Sequence, residues 1–510
     1  MRTRHLHLSA AGALSFFALA LGACSDSAAA VPTDGGPDTD ADAGDPFDLP
    51  GPPFAEQVDE YWGAAPDETT RLEIFDALWQ NLADTYACFS VLDLDWDEVR
   101  ERYRPEVAEA EGYGRFYQLL SWMNAELEDG HTSFLSYGIC QTPLVLRPPY
   151  FRPDQWSSAI GACVTALDDG DLLVYRAADD NPAGLAPGDV IVGYDGVPWA
   201  GLLDEIDSWE LPLCGSVGSA DQVMAWSRLT AVTANPHLFA QLDVRRHGTA
   251  AIESIPTSGL LEYESRLSCT DQMPVAGVDF PWVTDEEAAE AGSDASWGVI
   301  EGTNIGYIYM YNQYNVWLDL PAALQDLMDT DGLIIDQRYN HGGWPSPDAF
   351  DLLFDHPVAN LWNCAERDPD ADDYTTLAPE DHDWYYIEGD PENAYAGPIA
   401  VLQGPHAVSG GDLFPYAMSK SANARRFGRI THGSFGCRYE FWDGDPFIDD
   451  LRSTYTGCMF LDEDLNAMQK WEDHPDEEVW LTVDGAANGE DSVVEAALAW
   501  LESQGASKLR

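Results

Sequence analysis

The sequence predicts a multidomain α/β protein, and three changes of pattern along its 510 residues predict it. Residues 53–135 place apolar side chains at helical spacing, residues 155–250 read as short strands cut by Gly, Pro and Asp turns, and residues 296–500 alternate strands with helices. At about 150 residues per domain, this length suits roughly three domains. The composition is globular, with 45% hydrophobic residues, 18 Trp and 22 Tyr to fill a core.

The first helix is expected in DETTRLEIFDALWQNLADTYACF, where Leu72, Ile74, Phe75, Leu78, Leu82 and Tyr86 share a face after the acidic start at Asp67 and Glu68. A second runs through WDEVRERYRPEV and a third through GRFYQLLSWMNAEL, which stops at EDGHTSF; there Gly130 and β-branched Thr132 mark a change to strand. In the middle region, DLLVYRA precedes NPAGLAPGDVIVGYDGVPW: a short helix signal, the Pro187-Gly188-Asp189 turn, an apolar strand and the Asp195-Gly196 turn. This run resembles a PDZ domain of the bacterial protease type, which implies an extended peptide added as a strand to a sheet edge.

Further on, GYIYMY (306–311) reads as a strand, Val316 to Met328 as a helix and GLIID (332–336) as a buried strand, followed by the turn QRYNHGGWPS and another helix. Residues 398–412, PIAVLQGPHAVSGGD, then form a buried strand, a Gly404-Pro405 break, and Ser409 at the mouth of a helix. A serine at such a corner either caps the helix or holds its hydroxyl as a nucleophile, with the glycines letting backbone N–H groups approach a developing oxyanion. Pro415 within the following run removes a helix hydrogen bond unless it lies in the first turn.

The formal net charge of −64 argues against nucleic acid and anionic membrane surfaces as partners. Arg2 and Arg4 followed by AAGALSFFALALGA form a signal-like leader, too short to span a membrane comfortably. It ends in Leu21-Gly22-Ala23-Cys24, which resembles the bacterial lipobox. That resemblance implies a signal peptide over 1–23, lipidation of Cys24, and attachment to the cell envelope through this anchor alone, on the periplasmic or cell-surface side. Residues 24–52 are small, acidic and rich in Pro and Gly, so they read as a disordered tether; the calcium-loop hint in DTDADAG has its Gly at the wrong offset. Eight further cysteines suggest disulfides in an exported chain, with Cys437–Cys458 the favoured local bridge, and no CxxC pair points to zinc.

In this order, the motifs EDGHTSF, NIGYIYM, IIDQRYNHGGW, AVLQGPHAVSGGD, GRITHGSFG and HPDEEVWLTVDG resemble the tail-specific, or C-terminal processing, serine protease family, and more closely its tricorn-core-like branch. The resemblance covers nearly all of residues 65–500. It implies a helical domain over 53–150, a PDZ-like β domain over 151–255 and a crotonase/ClpP-like α/β catalytic domain over 256–510. It also implies a serine endopeptidase acting on unstructured or C-terminal protein segments, with no metal or organic cofactor.

By the same resemblance Ser409 stands at the nucleophile position. The lysine that one branch uses as base is replaced by Ser434, which leaves His131 of EDGHTSF as the base. An acid to orient it is expected at Glu472, with Asp473 in reserve and Thr132 or Asp129 as further partners. Gly410 and Gly343 are expected to give the oxyanion its two N–H donors. Asp336 and Arg338 are expected to be structural. The chain departs from the family at Gly410-Gly411-Asp412, where a small residue and then Glu commonly follow the nucleophile. His406 is a rival base and His474 a further neighbour. The rival reading is a catalytically inactive lipoprotein that keeps the fold and binds a peptide or apolar ligand.

Overall fold

In the computed structural model the described residues are 62–135, 160–199, 201–202, 211–213, 236–260, 269, 273–278, 295–313, 316–343, 347–378, 384–441 and 452–506. The leader, Cys24 and the tether lie outside them, as do Cys140 and Cys214.

Three helices open the described chain: α1 (Glu68–Thr85), α2 (Trp96–Glu109) and α3 (Tyr113–Ala125). Asp67 and Asp95 cap the first two by accepting backbone N–H bonds from the first turn, which stops each helix from starting earlier. Their apolar faces bury Phe75, Leu78, Leu82, Trp96, Phe116 and Leu120 in one cluster. After α3 the chain turns through Glu126–Thr132 into β1 (Ser133–Leu135).

The middle unit is an antiparallel sheet. Its strands are β2 (Ala162–Ala166), β3 (Leu172–Ala177), β4 (Val190–Tyr194), β5 (Val197–Pro198), β6 (Gln241–Arg245) and β7 (Ile252–Pro256), in the order β2-β3-β4-β6-β7 with β5 paired to β4. The expected turns at Pro187–Asp189 and Asp195–Gly196 are present, and Asp195 adopts a positive φ of 51°. The short helix signal before them is instead a run of turns. Asn181 competes with a helix there, because its side chain bonds the Leu185 N–H at 2.6 Å and the Ala178 carbonyl at 2.7 Å.

The remaining chain supplies β8 (Ala295–Val299), β9 (Ile305–Met310), α4 (Val316–Leu327), β10 (Gly332–Asp336), β11 (Val358–Glu366), β12 (Tyr385–Ile387), β13 (Ile399–Gln403), α5 (Gly410–Met418), β14 (Ala424–Gly428), β15 (Gly436–Phe441), β16 (Arg452–Leu461), β17 (Glu477–Glu478), α6 (Val483–Asn488) and α7 (Ser492–Ser503). The expected helix after QRYNHGGWPS is a 3-10 segment, Pro347–Leu353. Pro415 lies past the first turn of α5, yet the helix continues to Met418.

One sheet runs β17-β14-β13-β10-β9-β8, with β9, β10, β13, β14 and β17 parallel and β8 antiparallel. β9, β10 and β13 are buried throughout, as expected of strands covered on both faces. α4 and α5 cover one face with Leu320, Leu324 and Phe414; α7 covers the other with Val493, Ala497 and Leu501.

The third sheet is where distant parts of the chain meet. β16 pairs with β11, β15 and, antiparallel, with β1, setting Ser133 opposite Thr454 and Phe134 opposite Ser453. The helical N-terminal unit is thereby stitched to the α/β unit, and Phe134 joins its core.

Cys163–Cys269 forms a disulfide and Cys458 is bridged to Cys364, while Cys437 of the expected local pair faces Cys458 across β15 and β16. The three sulfurs of Cys364, Cys437 and Cys458 lie within 4.8 Å of one another because β11 and β15 flank β16 on opposite sides. The middle sheet docks on the α/β unit through Arg429, which donates to the Ala166 carbonyl at 2.6 Å and pairs with Asp168, and through the Trp480 indole N–H on Thr165 at 2.9 Å. No helix among the described residues is long and apolar enough to cross a membrane.

Candidate active site

Four neighbouring parallel strands, β9, β10, β13 and β14, end on the same edge of their sheet, and the segments leaving those ends build the site. Crevices outside the carboxyl ends of parallel strands are where ligands bind in open α/β sheets. The β10 end is fixed by buried charge. Arg338 bonds Asp336 at 2.6 Å and Asp491 at 2.8 Å, and Tyr307 donates to Asp336 at 2.5 Å. Removing either partner of such a pair leaves an uncompensated buried charge, so Asp336 and Arg338 hold the strand end in place.

The chain leaves β13 through Gly404–Pro405 and reaches Ser409 at the N-cap of α5. Ser409 is partly exposed and sits at φ 60° and ψ −115°, a conformation that costs a non-glycine residue on the order of 1–3 kcal/mol. A strained strand-to-helix turn is how serine nucleophiles are lifted clear of a sheet. Asp412 answers the strain by accepting the Ser409 backbone N–H at 2.6 Å. Ser409 thus stands at the N-cap of α5, as the cap reading expects, and remains partly exposed.

The turn after β10 lies directly against this corner. A Cβ on Gly342, whose φ is 86°, would fall 2.8 Å from Ser409 Cβ and 3.2 Å from the Gly410 nitrogen; one on Gly410 would fall 2.6 Å from the Gly343 carbonyl oxygen. Only glycines allow the two backbones to approach this closely. Asn340 holds the turn, accepting the Gly342 N–H at 2.9 Å and donating to the Met310 carbonyl at 3.1 Å. Gln313, beyond β9, donates to the Gly410 carbonyl at 2.6 Å and Gln337 to the Gly411 carbonyl at 3.0 Å. The first helical N–H, that of Gly410, has no intrahelical acceptor and is available to an anion.

His131 reaches this region through β1. It is 7% exposed, its carbonyl accepts the Thr454 hydroxyl at 2.7 Å, and its Nδ1 lies 3.4 Å from the Thr456 hydroxyl on β16. Asp129 is buried and accepts the His131 backbone N–H at 2.9 Å, while Thr132 donates to the same carboxylate at 3.0 Å. Gly130 is pressed against the β14 exit: its Cβ would lie 2.0 Å from His432 Cε1 and 2.3 Å from Ser434 Oγ. His432 is fully buried and bonded through Nδ1 to Ser434 at 2.6 Å. Burial, reinforced by the nearby His131 and His406, holds its pKa well below the ordinary imidazole range, so it is neutral.

Glu472 is half-exposed and paired with His474 at 3.3 Å. Asp473 is buried against Arg426 at 2.6 Å. His406 stacks edge-on at 5.6 Å from the Tyr339 ring. Sequence reasoning did not single out Thr456, His432, Gln313 or Asn340. The Thr456 contact depends on the β1–β16 register, which leaves no local signal.

Comparisons with known proteins agree with this architecture. Residues 304–479 match the family model "Peptidase family S41", and residues 67–125 match "Tricorn protease C1 domain". No curated protein matches the chain in sequence. Among solved structures, mature CPAF is similar at TM-score 0.62 and 14% identity, covering 86% of this chain and 98% of that one. Mature CPAF complexed with lactacystin gives TM-score 0.60 at 14% identity, covering 86% and 97%. A photosystem II D1 C-terminal processing protease matches at TM-score 0.43 and 17% identity, covering 82% and 96%. At these identities the CPAF likeness establishes the fold alone.

Proposed function

We propose, for a serine-type peptidase whose residues 304–479 match peptidase family S41, that Ser409 is the nucleophile and His131 its general base. The observation that carries this reading is the Ser409 corner: a serine strained into positive φ at a helix N-terminus, with Gly342 packed against it. His131 takes the hydroxyl proton as Oγ attacks the scissile carbonyl. The oxyanion is held by the N–H groups of Gly410 and Gly343, the proton passes to the leaving amine, and water then hydrolyses the acyl-enzyme by the reverse proton path.

In this reading the Thr456 hydroxyl orients His131, as neutral third members do in other triads, and Glu472 is the alternative orienter to be tested against it. Substrates are unstructured or C-terminal protein segments. The middle sheet serves as the PDZ-like module; its edge strand β7, with Ile252 60% exposed, offers backbone groups to an added strand. Cys24 carries a lipid that holds the enzyme at the cell envelope.

A fluorophosphonate probe on the purified chain labels Ser409, and Ser409→Ala abolishes labelling and peptidase activity together. Labelling that survives Ser409→Ala sinks the assignment. Peptide binding with neither labelling nor turnover in the wild type supports the inactive binding protein instead.

A further inference from the structure

We infer that Asp412 is a positioning residue for this reaction: its buried carboxylate clips the nucleophile corner to the segment that backs the base. The inference rests on the reading of Ser409 and His131 given above. Asp412 Oδ2 accepts the Ser409 N–H at 2.6 Å and the Ser434 N–H at 3.2 Å, and Oδ1 accepts the Gly433 N–H at 2.8 Å. One fully buried side chain therefore joins the exit of β13 to the exit of β14. The same β14 exit carries His432 and Ser434, whose side chains pack onto Gly130, the residue before His131. A continuous path runs from Ser409 through Asp412, Gly433–Ser434, His432 and Gly130 to His131.

The chemistry explains why an acid is present in a site that resists one. Burial pushes the Asp412 carboxyl up to about 7, so ionising it there is costly. An apolar side chain would strand three buried N–H donors, and an amide has a single acceptor oxygen for all three. Ser409 in its strained conformation needs an acceptor for its own N–H as well. The Asp412 carboxylate meets three backbone N–H groups and the Thr431 side chain, none of them a reacting atom, so its part is to fix the separation of nucleophile and base. Displacements of about 1 Å in such a separation cost up to about 100-fold in rate.

The test uses the full chain, with a fluorophosphonate–rhodamine probe read as separate kinact and KI, and fluorescein-labelled casein read as kcat and KM. Asp412→Asn is expected to lower kinact and kcat by about 10- to 100-fold, with KI and KM within about twofold. A folded Asp412→Asn that keeps kinact, or that loses KI and kinact in equal measure, overturns the positioning assignment. Should that variant not fold, Asp412→Glu retains the carboxylate on a longer arm and is expected to lose kinact with KI unchanged. An unfolded product from both makes the role structural and overturns the proposal. A wild type that the probe does not label at Ser409 removes the catalytic premise, an outcome distinct from failure of Asp412 alone.

Discussion

The two halves of the candidate site are made in different ways. The Ser409 corner is local: one strand, one turn and one helix within residues 399–418 set its backbone. His131 arrives by long-range pairing, because β1 is a three-residue strand whose partners on β16 lie more than 300 residues away. The local half keeps its geometry through strain and backbone contacts, whereas the distant half depends on a sheet register and on the packing of Gly130 against His432. In the proposed reading the nucleophile is thus held by segments of the α/β unit, its own strand–turn–helix, the turn after β10 and the β14 exit, while the base is coupled to the docking of the helical unit.

That contrast is open to direct attack. Ser409→Ala is expected to lower peptidase turnover by about 10⁴- to 10⁶-fold with the melting temperature unchanged or raised, since a strained residue is only being shortened. Phe134→Pro, which removes a ladder N–H from β1 and a buried ring from the helical core, is expected to lose activity and at least about 3 kcal/mol of stability together. Activity loss without destabilisation in Phe134→Pro, measured by thermal melting beside turnover, would break the comparison.

Asp412 gives a pH signature next in size. Its folded-state pKa of about 7 lies above the ordinary 3.8, so the folded protein holds that proton more tightly than the unfolded chain. Its contribution to stability is complete below about pH 4 and is lost as pH rises to about 7, a change on the order of 4 kcal/mol. Denaturant titrations of wild type and Asp412→Asn across that window should show the variant gaining on the wild type as pH rises. Parallel curves would contradict the assignment.

Gly410→Ala places a Cβ 2.6 Å from the Gly343 carbonyl oxygen and so wedges the two oxyanion segments apart. A loss of about 10²- to 10³-fold in kcat, with a smaller change in KM, is the expected kinetic result. Thr456→Val, a milder change, is expected to cost about tenfold in kcat by freeing the imidazole, and Glu472→Gln less than that. The reverse ranking returns the orienting role to Glu472.

The fold was largely legible because its signals are periodic. The three helices, the buried runs at 332–336 and 399–403 and the turns around Pro187 and Asp195 appear where patterning puts them, within a few residues at the ends. The apparent helix near Asn181 failed because one side-chain amide satisfied the backbone differently. At the site, the serine corner and the Gly342-Gly343 turn could be read from residue types, since both demand glycine or a helix start. Asp129, expected as a partner of His131, accepts its backbone N–H, but the imidazole contact with Thr456 could not be read. Thr456 is an ordinary strand threonine until β1 pairs with β16, and the GGD that looked like a departure contains the aspartate that ties Ser409 down. The Cys364–Cys458 bridge was hidden for the same reason, as strand neighbours are fixed by sheet order and not by spacing along the chain.

The central claim is that sheet pairing delivers His131 to Ser409 as its base. The most direct measurement is the rate of Ser409 acylation by a fluorophosphonate, followed by intact mass, in folded wild type and in folded His131→Ala. A rate at least about 10³-fold slower in the variant, with the label still on Ser409 when it forms, is the predicted result. An unchanged acylation rate in His131→Ala would contradict it.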